Sequence, residues 1–399
     1  MIGSRVRPQK PFLDENNYWY VSRYKDSKLA LSVGNSSKEY SLVDLENAPK
    51  DWTSTFFYKN YVEQLSSELG SIEFVTEHEP ERSKIVKLFQ GLNSTKNLEK
   101  ISNRLDSLAK AVFNSDQDNF DMVTGLVDII FEEFLKVIFI VPELDESLPE
   151  LSSAIKKLFR YYTSFSEYIE PMSDLVRKDF DHSLEILKEL IKPNILDYYL
   201  NPRDNDNIIN QYISIFKDDL YQVGANVICT AMVTLALYGT LLAVAEAISS
   251  DSKLLNDLKN EEKISTIHFD EIIRVYAHKP LLNRVLLQDL EIEDVVMKKG
   301  MMIAVDVFAA SFDSEVFPNP HSIDFTRKLS TSIQFSHGLH SCMGRVMGRN
   351  IGILFIDFLR KNFSNIELLE NISYNIVGTV IEPSKIIVNL RVDTQTDLV

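Results

Sequence analysis

The stretch Phe335–Asn350 reads FSHGLHSCMGRVMGRN and holds Cys342, one of two cysteines in a chain of 399 residues. Three glycines, two histidines and two arginines crowd around that thiol. A cysteine outside a disulfide is ordinarily a small apolar filler of the core, and such a filler needs neither glycines nor cations beside it. His337, His340 and Cys342 have short, zinc-like spacing, but structural zinc takes four ligands, usually as two separated pairs, and no second pair follows. His340 is also close enough in sequence to act as the base for a nucleophilic thiol, although no third, orienting partner is visible.

A fourth reading uses the whole stretch: Cys342 as an axial thiolate on haem iron. A bound thiolate needs N–H donors around its sulfur, and Gly338 and Gly344 let the backbone come close enough to supply them. A helix beginning just after the cysteine adds the positive end of its dipole. The basic residues then face the two propionates of the macrocycle.

Composition sets the outer bounds. The chain is 45% hydrophobic and 25% charged, as an ordinary globular protein is. Two cysteines, Cys229 and Cys342, exclude a disulfide scaffold and fit a reducing cytoplasm. A formal net charge of −16 argues against nucleic acid or an anionic membrane as the main partner. The N-terminus reads as neither signal peptide nor anchor. Leu220 to Ala245 has no charged residue and is long enough to span a bilayer. Its Gln222, Asn226 and three threonines, without interfacial arginine or tryptophan, instead predict a buried central helix.

Periodicity predicts a mainly α fold with small β-sheets (α+β) in one domain. Residues 1–76 form a strand-rich part, in which Tyr18–Tyr24 alternates as a half-buried strand, Asp26 caps a short helix and Ser37–Asp44 is a second strand. Residues 77–280 form a helical part, with a helix started by Pro80 and one long central helix over 218–249. Residues 281–399 hold strands with a Lys299-Gly300 turn, the loop 335–344, a helix over Val346–Phe363 and a β-like tail.

The pattern Phe335-x-x-Gly338-x-His340-x-Cys342-x-Gly344 resembles the haem-binding signature of the cytochrome P450 superfamily. Glu271-x-x-Arg274 resembles the family's Glu-x-x-Arg pair, and Arg327 its third, meander arginine. The first strand and helix are similar to those of soluble bacterial members. The resemblance covers nearly the whole chain in the family's order. It implies the P450 fold, haem b (iron protoporphyrin IX), Cys342 as axial ligand, and His340 and Arg284 on the propionates. For the set Glu271, Arg274 and Arg327 it implies a structural role.

Two departures stand out. Where the family carries an acid–alcohol pair on a kinked central helix, this chain aligns as Gly224-Ala225-Asn226-Val227-Ile228. Neither valine nor isoleucine can donate a proton, so proton delivery falls to water, to the substrate or to Asn226. Where soluble bacterial members show His-x-x-x-Arg, this chain has Arg82 and Val86. Arg82 can take over as a permanent cation; Val86 cannot.

The expected activity is oxidation of a small apolar or aromatic secondary metabolite with dioxygen and external electrons. Ile72, Phe74, Val75, Leu281 and Leu282 are the pocket candidates. No flavin, nicotinamide or iron–sulfur fingerprint is present, so a separate ferredoxin or flavodoxin is implied, drawn by Arg82, Lys84, Lys87, Arg345 and Arg349. The missing acid–alcohol pair keeps open oxidative phenol or aryl coupling without oxygen insertion, and a non-catalytic module that recruits a carrier protein.

Overall fold

The long apolar stretch lies at the centre of the molecule, as its composition requires. The computed structural model describes residues 8–15, 17–37, 44, 46, 81–139, 146–165, 174–202, 208–277, 281–327, 333–339, 341–377 and 380–393. No helix among them is long and apolar enough to cross a membrane.

The predicted single central helix is in fact two, α8 (Leu220–Val233) and α9 (Leu235–Ser250), separated at Thr234. The Thr234 hydroxyl donates to the Ala231 carbonyl at 2.6 Å, and Leu237 N–H returns to the Thr234 carbonyl at 2.9 Å, a three-residue turn. A hydroxyl that competes for backbone carbonyls is a recognised cause of such a bend.

Ahead of this pair run α2 (Glu81–Leu92), α3 (Thr95–Val112), α4 (Asp128–Phe139, entered through a π-turn at Val123–Val127), α5 (Leu148–Phe165), α6 (Asp174–Leu200) and α7 (Ile208–Phe216). After it come α10 (Leu254–Asn260), α11 (Thr266–Tyr276), the short α12 (Val307–Ala310) and α13 (Arg345–Asn362). The large core joins α8 and α9 to Phe131, Phe134, Leu187, Phe269, Phe355 and Leu359 from the surrounding helices. Gly352 of α13 exists for this packing, because an added Cβ would sit 2.1 Å from the Phe269 ring.

The described strands form four separate sheets. β1 (Phe12–Leu13), β2 (Trp19–Val21), β8 (Met302–Val305), β5 (Leu282–Leu286) and β3 (Ser36–Ser37) lie side by side in that order. β2 pairs with β8 in parallel, Trp19 opposite Ile303. This sheet and α1 (Tyr24–Ala30) enclose a smaller core of Val21, Leu31, Ile303, Val305 and Phe317. β6 (Leu290–Ile292) and β7 (Val295–Met297) form a hairpin, as do β10 (Ser373–Val377) and β11 (Val380–Lys385). β4 (Gln117–Asp121), β12 (Ile387–Val392) and β9 (Phe363–Leu368) make a three-stranded sheet.

Several expectations are corrected in detail. The strand expected over Tyr18–Tyr24 is only β2, because Arg23 already opens α1. Asp26 sits in the first turn of α1 and does not cap it; Asp313, distant in sequence, accepts from Tyr24 N–H at 2.9 Å. The strand expected over Ser37–Asp44 is described only as Ser36–Ser37. Pro80 and Pro280 lie outside the described residues.

Candidate functional site

Cys342 sits at the end of a tight loop that feeds α13. Its N–H donates to the Phe335 carbonyl at 2.8 Å, and Ser341 N–H donates to the Gly338 carbonyl at 3.1 Å. Gly338 has φ +74°, and a Cβ there would stand 2.1 Å from the Leu31 carbonyl oxygen, so no other residue fits the contact with α1. At Gly344 an added Cβ would lie 3.7 Å from the Cys342 sulfur; glycine keeps that side of the thiol open. Arg345 N–H reaches the Cys342 carbonyl at 3.3 Å, and α13 starts there, its positive end beside the thiol. The thiol itself is exposed.

Phe335 packs against the large core under the loop, with the Arg349 guanidinium 5.5 Å over its ring. Arg349 is then held by Asp270 of α11 through two bonds of 2.8 and 2.6 Å, so it belongs to the fold and is not a free surface cation. Arg345 is exposed. His337 is half-buried; burial first, then the charge of Lys28, lowers its pKa. His340, Ile72, Phe74 and Val75 lie outside the described residues.

The set Glu271, Arg274 and Arg327 is brought together below the loop. Arg274 Nε and Nη2 donate to the two Glu271 oxygens at 2.9 and 2.8 Å, and Arg327 Nε donates to Oε1 at 2.9 Å. Arg274 also donates to the carbonyls of Ser311, Pro320 and Ser322, at 2.9, 2.6 and 3.0 Å. Both Glu271 and Arg274 are fully buried, so each depends on the other.

Arg284 lies in β5, 4% exposed, donating to the Asn283 carbonyl at 2.7 Å. Leu281 and Leu282 lead into the same strand, Leu281 buried. Arg82 and Val86 lie in α2, which is tied to α13 where Asn350 donates to Asn93 at 3.0 Å.

On the central helices the register differs from the expectation. Gly224 faces Ile195 of α6, where an added Cβ would come within 3.7 Å. Asn226 is fully buried and donates to the Gln222 carbonyl at 2.9 Å. One turn on, Thr230 bonds the Tyr212 hydroxyl of α7 at 2.7 Å, so this face is a seam between α8 and α7. Val227 and Ile228 are buried, and Ala225 belongs to the same turn. The open face comes later: Ala236 is exposed, Gly239 has no atom within 4 Å of an added Cβ, and the Thr240 hydroxyl bonds the Ala236 carbonyl at 3.0 Å. A uniformly apolar helix gives no cue to which face opens, which is why the sequence misses these residues.

The donor set fits a haem. An exposed thiol on a hydrogen-bonded loop, glycine beside its sulfur, a helix start behind it and the buried permanent cation Arg284 are the groups such a cofactor needs.

A family model of cytochrome P450 matches residues 265–371, which contain the Glu–Arg–Arg set, Arg284 and the cysteine loop. Those residues match the cytochrome P450 family, and the chain as a whole has the P450 fold. Cytochrome P450(BM-1) of Priestia megaterium is 23% identical over 90% of this chain and 85% of its own. Mycocyclosin synthase of Mycobacterium tuberculosis is 26% identical over 53% of this chain, and the match spans about half of that relative (54%). P450 EryK from S. erythraea superposes with a TM-score of 0.77 at 14% identity, covering 98% of this chain and 94% of that one. P450 PksS of Bacillus subtilis superposes with a TM-score of 0.75 at 16% identity, covering 96% and 94%. P450 enzymes bind haem iron and are oxidoreductases.

Proposed function

We propose that this P450 is an oxidase of a small apolar or aromatic secondary metabolite, fed with electrons by a separate ferredoxin or flavodoxin. The observation that carries the reading is the Cys342 loop, with its sulfur flanked by Gly344 and the start of α13. Haem b bound there would supply one-electron and dioxygen chemistry. Cys342 would ligate the iron, and Arg284, Arg82 and His340 would hold the propionates. The face formed by Ala236, Gly239 and Thr240 would cover the opposite side, replacing the expected stretch Gly224–Ile228. Ile72, Phe74, Val75, Leu281 and Leu282 remain the pocket candidates.

No carboxylate stands at the break of the central helix: residues 233–236 read Val-Thr-Leu-Ala. That observation supports a second reading, oxidative coupling of phenols or aryl groups without oxygen insertion, in which a phenolic substrate's own hydroxyl takes the proton-donor role that no side chain at the break fills. A third candidate substrate is one carried on an acyl carrier protein, as in the complex described for P450BioI. If haem-loaded protein turns nothing over, the chain is a recruiting module.

For the electron donor, Arg345, Lys87 and Lys28 are the exposed or loop-facing cations at the cysteine side of an acidic chain, and an acidic carrier would be steered there. The test is turnover of haem-loaded protein with ferredoxin and its reductase on phenolic and terpenoid panels, read by product mass. Gain of one oxygen supports monooxygenation. Loss of two hydrogens with joining supports coupling. A protein with Cys342 intact that takes up no haem overturns the reading.

A further inference from the structure

Glu246 is the only charged side chain on α9, and it is 2% exposed. A carboxyl so deeply buried loses the hydration that supports its charge, and must be held by donors or remain protonated. Its Oε1 accepts from the Tyr374 hydroxyl at 2.7 Å, a bond that crosses from the central helix to β10. Tyr276, at the end of α11, lies close enough to both to feel them, so helix, helix and hairpin meet at one cluster.

Elsewhere the hairpin packs on α9 and on the Val123–Val127 turn through β11 and on α5 through both strands, and its base carries a bulge between Ser373 and Tyr374. Burial pushes the Glu246 carboxyl up to about 7, against the pull of the Tyr374 bond. Burial, followed by the charge on Glu246, raises Tyr374 as well, so the tyrosine stays a donor throughout the neutral range.

Among the described residues, most other charged side chains on the neighbouring elements have partners of their own. Asp251, just past the end of α9, acts on Tyr276. Lys156 of α5 and Asp128 of α4 pair at 3.1 Å, and Asp128 also accepts from Tyr238, two turns up the helix. Lys385 of β11 pairs with Glu370, Lys259 of α10 with Asp393, and Asp357 of α13 with Arg360 and Lys361. Glu271 and Arg274 of α11 form their own network with Arg327. Glu382 of β11 stands opposite Asn375 of β10.

We propose that Glu246 and Tyr374 form a proton-linked latch that docks the β10–β11 hairpin on the central helix and so sets how tightly the chain closes over a ligand on the open face of α9. The last clause rests on the assignment of that face to the ligand side. With its proton, the carboxyl accepts from Tyr374 as a neutral group. Without it, a buried charge gains most by admitting water, which requires helix and strand to part. The hairpin is therefore docked in the acid form and loosened in the ionised form.

Hydrogen–deuterium exchange of the full chain at pH 6 and pH 8.5, corrected for intrinsic rates, tests this on peptides covering 373–385. Wild-type protection falls about tenfold or more from pH 6 to pH 8.5. Glu246→Gln keeps the pH 6 protection at both values, and Tyr374→Phe is weakly protected at both. In haem-loaded protein, affinity for the bulky iron ligand clotrimazole, read from the Soret shift, falls over the same range in wild type relative to Glu246→Gln. Wild-type protection that is equal at both pH values, or that falls equally in Glu246→Gln, overturns the latch. Exchange that behaves as expected while clotrimazole affinity does not follow it overturns only the link to the ligand face. A failure of the haem reading leaves the exchange result untouched, so the two are separable.

Discussion

At the scale of single residues, two positions carry more than their size suggests. Gly338 combines a left-handed backbone with a carbonyl where its Cβ would be. Gly338→Ala must move the backbone of Leu31 or the cysteine loop, at a cost of about 2–4 kcal/mol. A urea titration checks this, and a loss under 1 kcal/mol would mean that the loop shifts freely. Glu246 is the second. Its folded-state value, about 7, lies above the ordinary 4.5, so the folded chain holds the extra proton. Its contribution is therefore most favourable below about pH 4.5 and is lost as pH rises toward 7, by roughly 3 kcal/mol at most. Glu246→Gln should remove that slope, and the difference in unfolding free energy between variant and wild type, followed from pH 5 to pH 8, should grow in favour of the variant.

At the scale of elements, the break between α8 and α9 decides where the molecule is open. Ala236 follows the break and is exposed on a helix whose neighbours Leu237, Tyr238 and Leu241 are buried. Ala236→Phe should fill that face without disturbing the core: stability within about 1 kcal/mol of wild type, and ligand affinity reduced at least tenfold by Soret titration. Equal affinity would move the ligand side away from α9. The apolar stretch was legible in the sequence as a buried helix, but the face was not. Gly224 and Asn226 looked like a small-residue kink with a polar neighbour; they pack against Ile195 and lie on the seam with α7 instead. The cause is physical: a helix apolar all round carries no periodic signal, so its rotation is set by partners such as Tyr212, distant in sequence.

At the scale of the whole molecule, the buried group of Glu271, Arg274 and Arg327 ties α11 to the segment between α12 and the cysteine loop. Arg274 supports three backbone carbonyls as well as Glu271. Arg274→Met leaves Glu271 half-compensated and those carbonyls without this donor, so a loss of about 3–5 kcal/mol is expected, with haem retention falling in parallel. A denaturant titration that finds the variant as stable as wild type would remove the network from the fold's support. Charge acts at the same scale. With a net charge of −16, the chain needs local cations to receive an acidic carrier. Arg345→Glu should slow reduction by ferredoxin several-fold at low salt, and stopped-flow traces should converge with wild type at high salt.

Features that depend on residue type and short spacing can be read along the chain. A thiol among glycines just before a helix, a Glu–Arg pair one turn apart, and a stretch too apolar to face water are local patterns, and local patterns survive without knowledge of the fold. It took the folded chain to show that Thr234 bends the central helix, that Ala236 lies on its open face, that Asp270 holds Arg349 within the fold, and that Tyr374 meets Glu246. Each of these depends on groups brought together from distant parts of the chain, or on which side of an evenly apolar helix is left uncovered. Spacing along one segment cannot encode either.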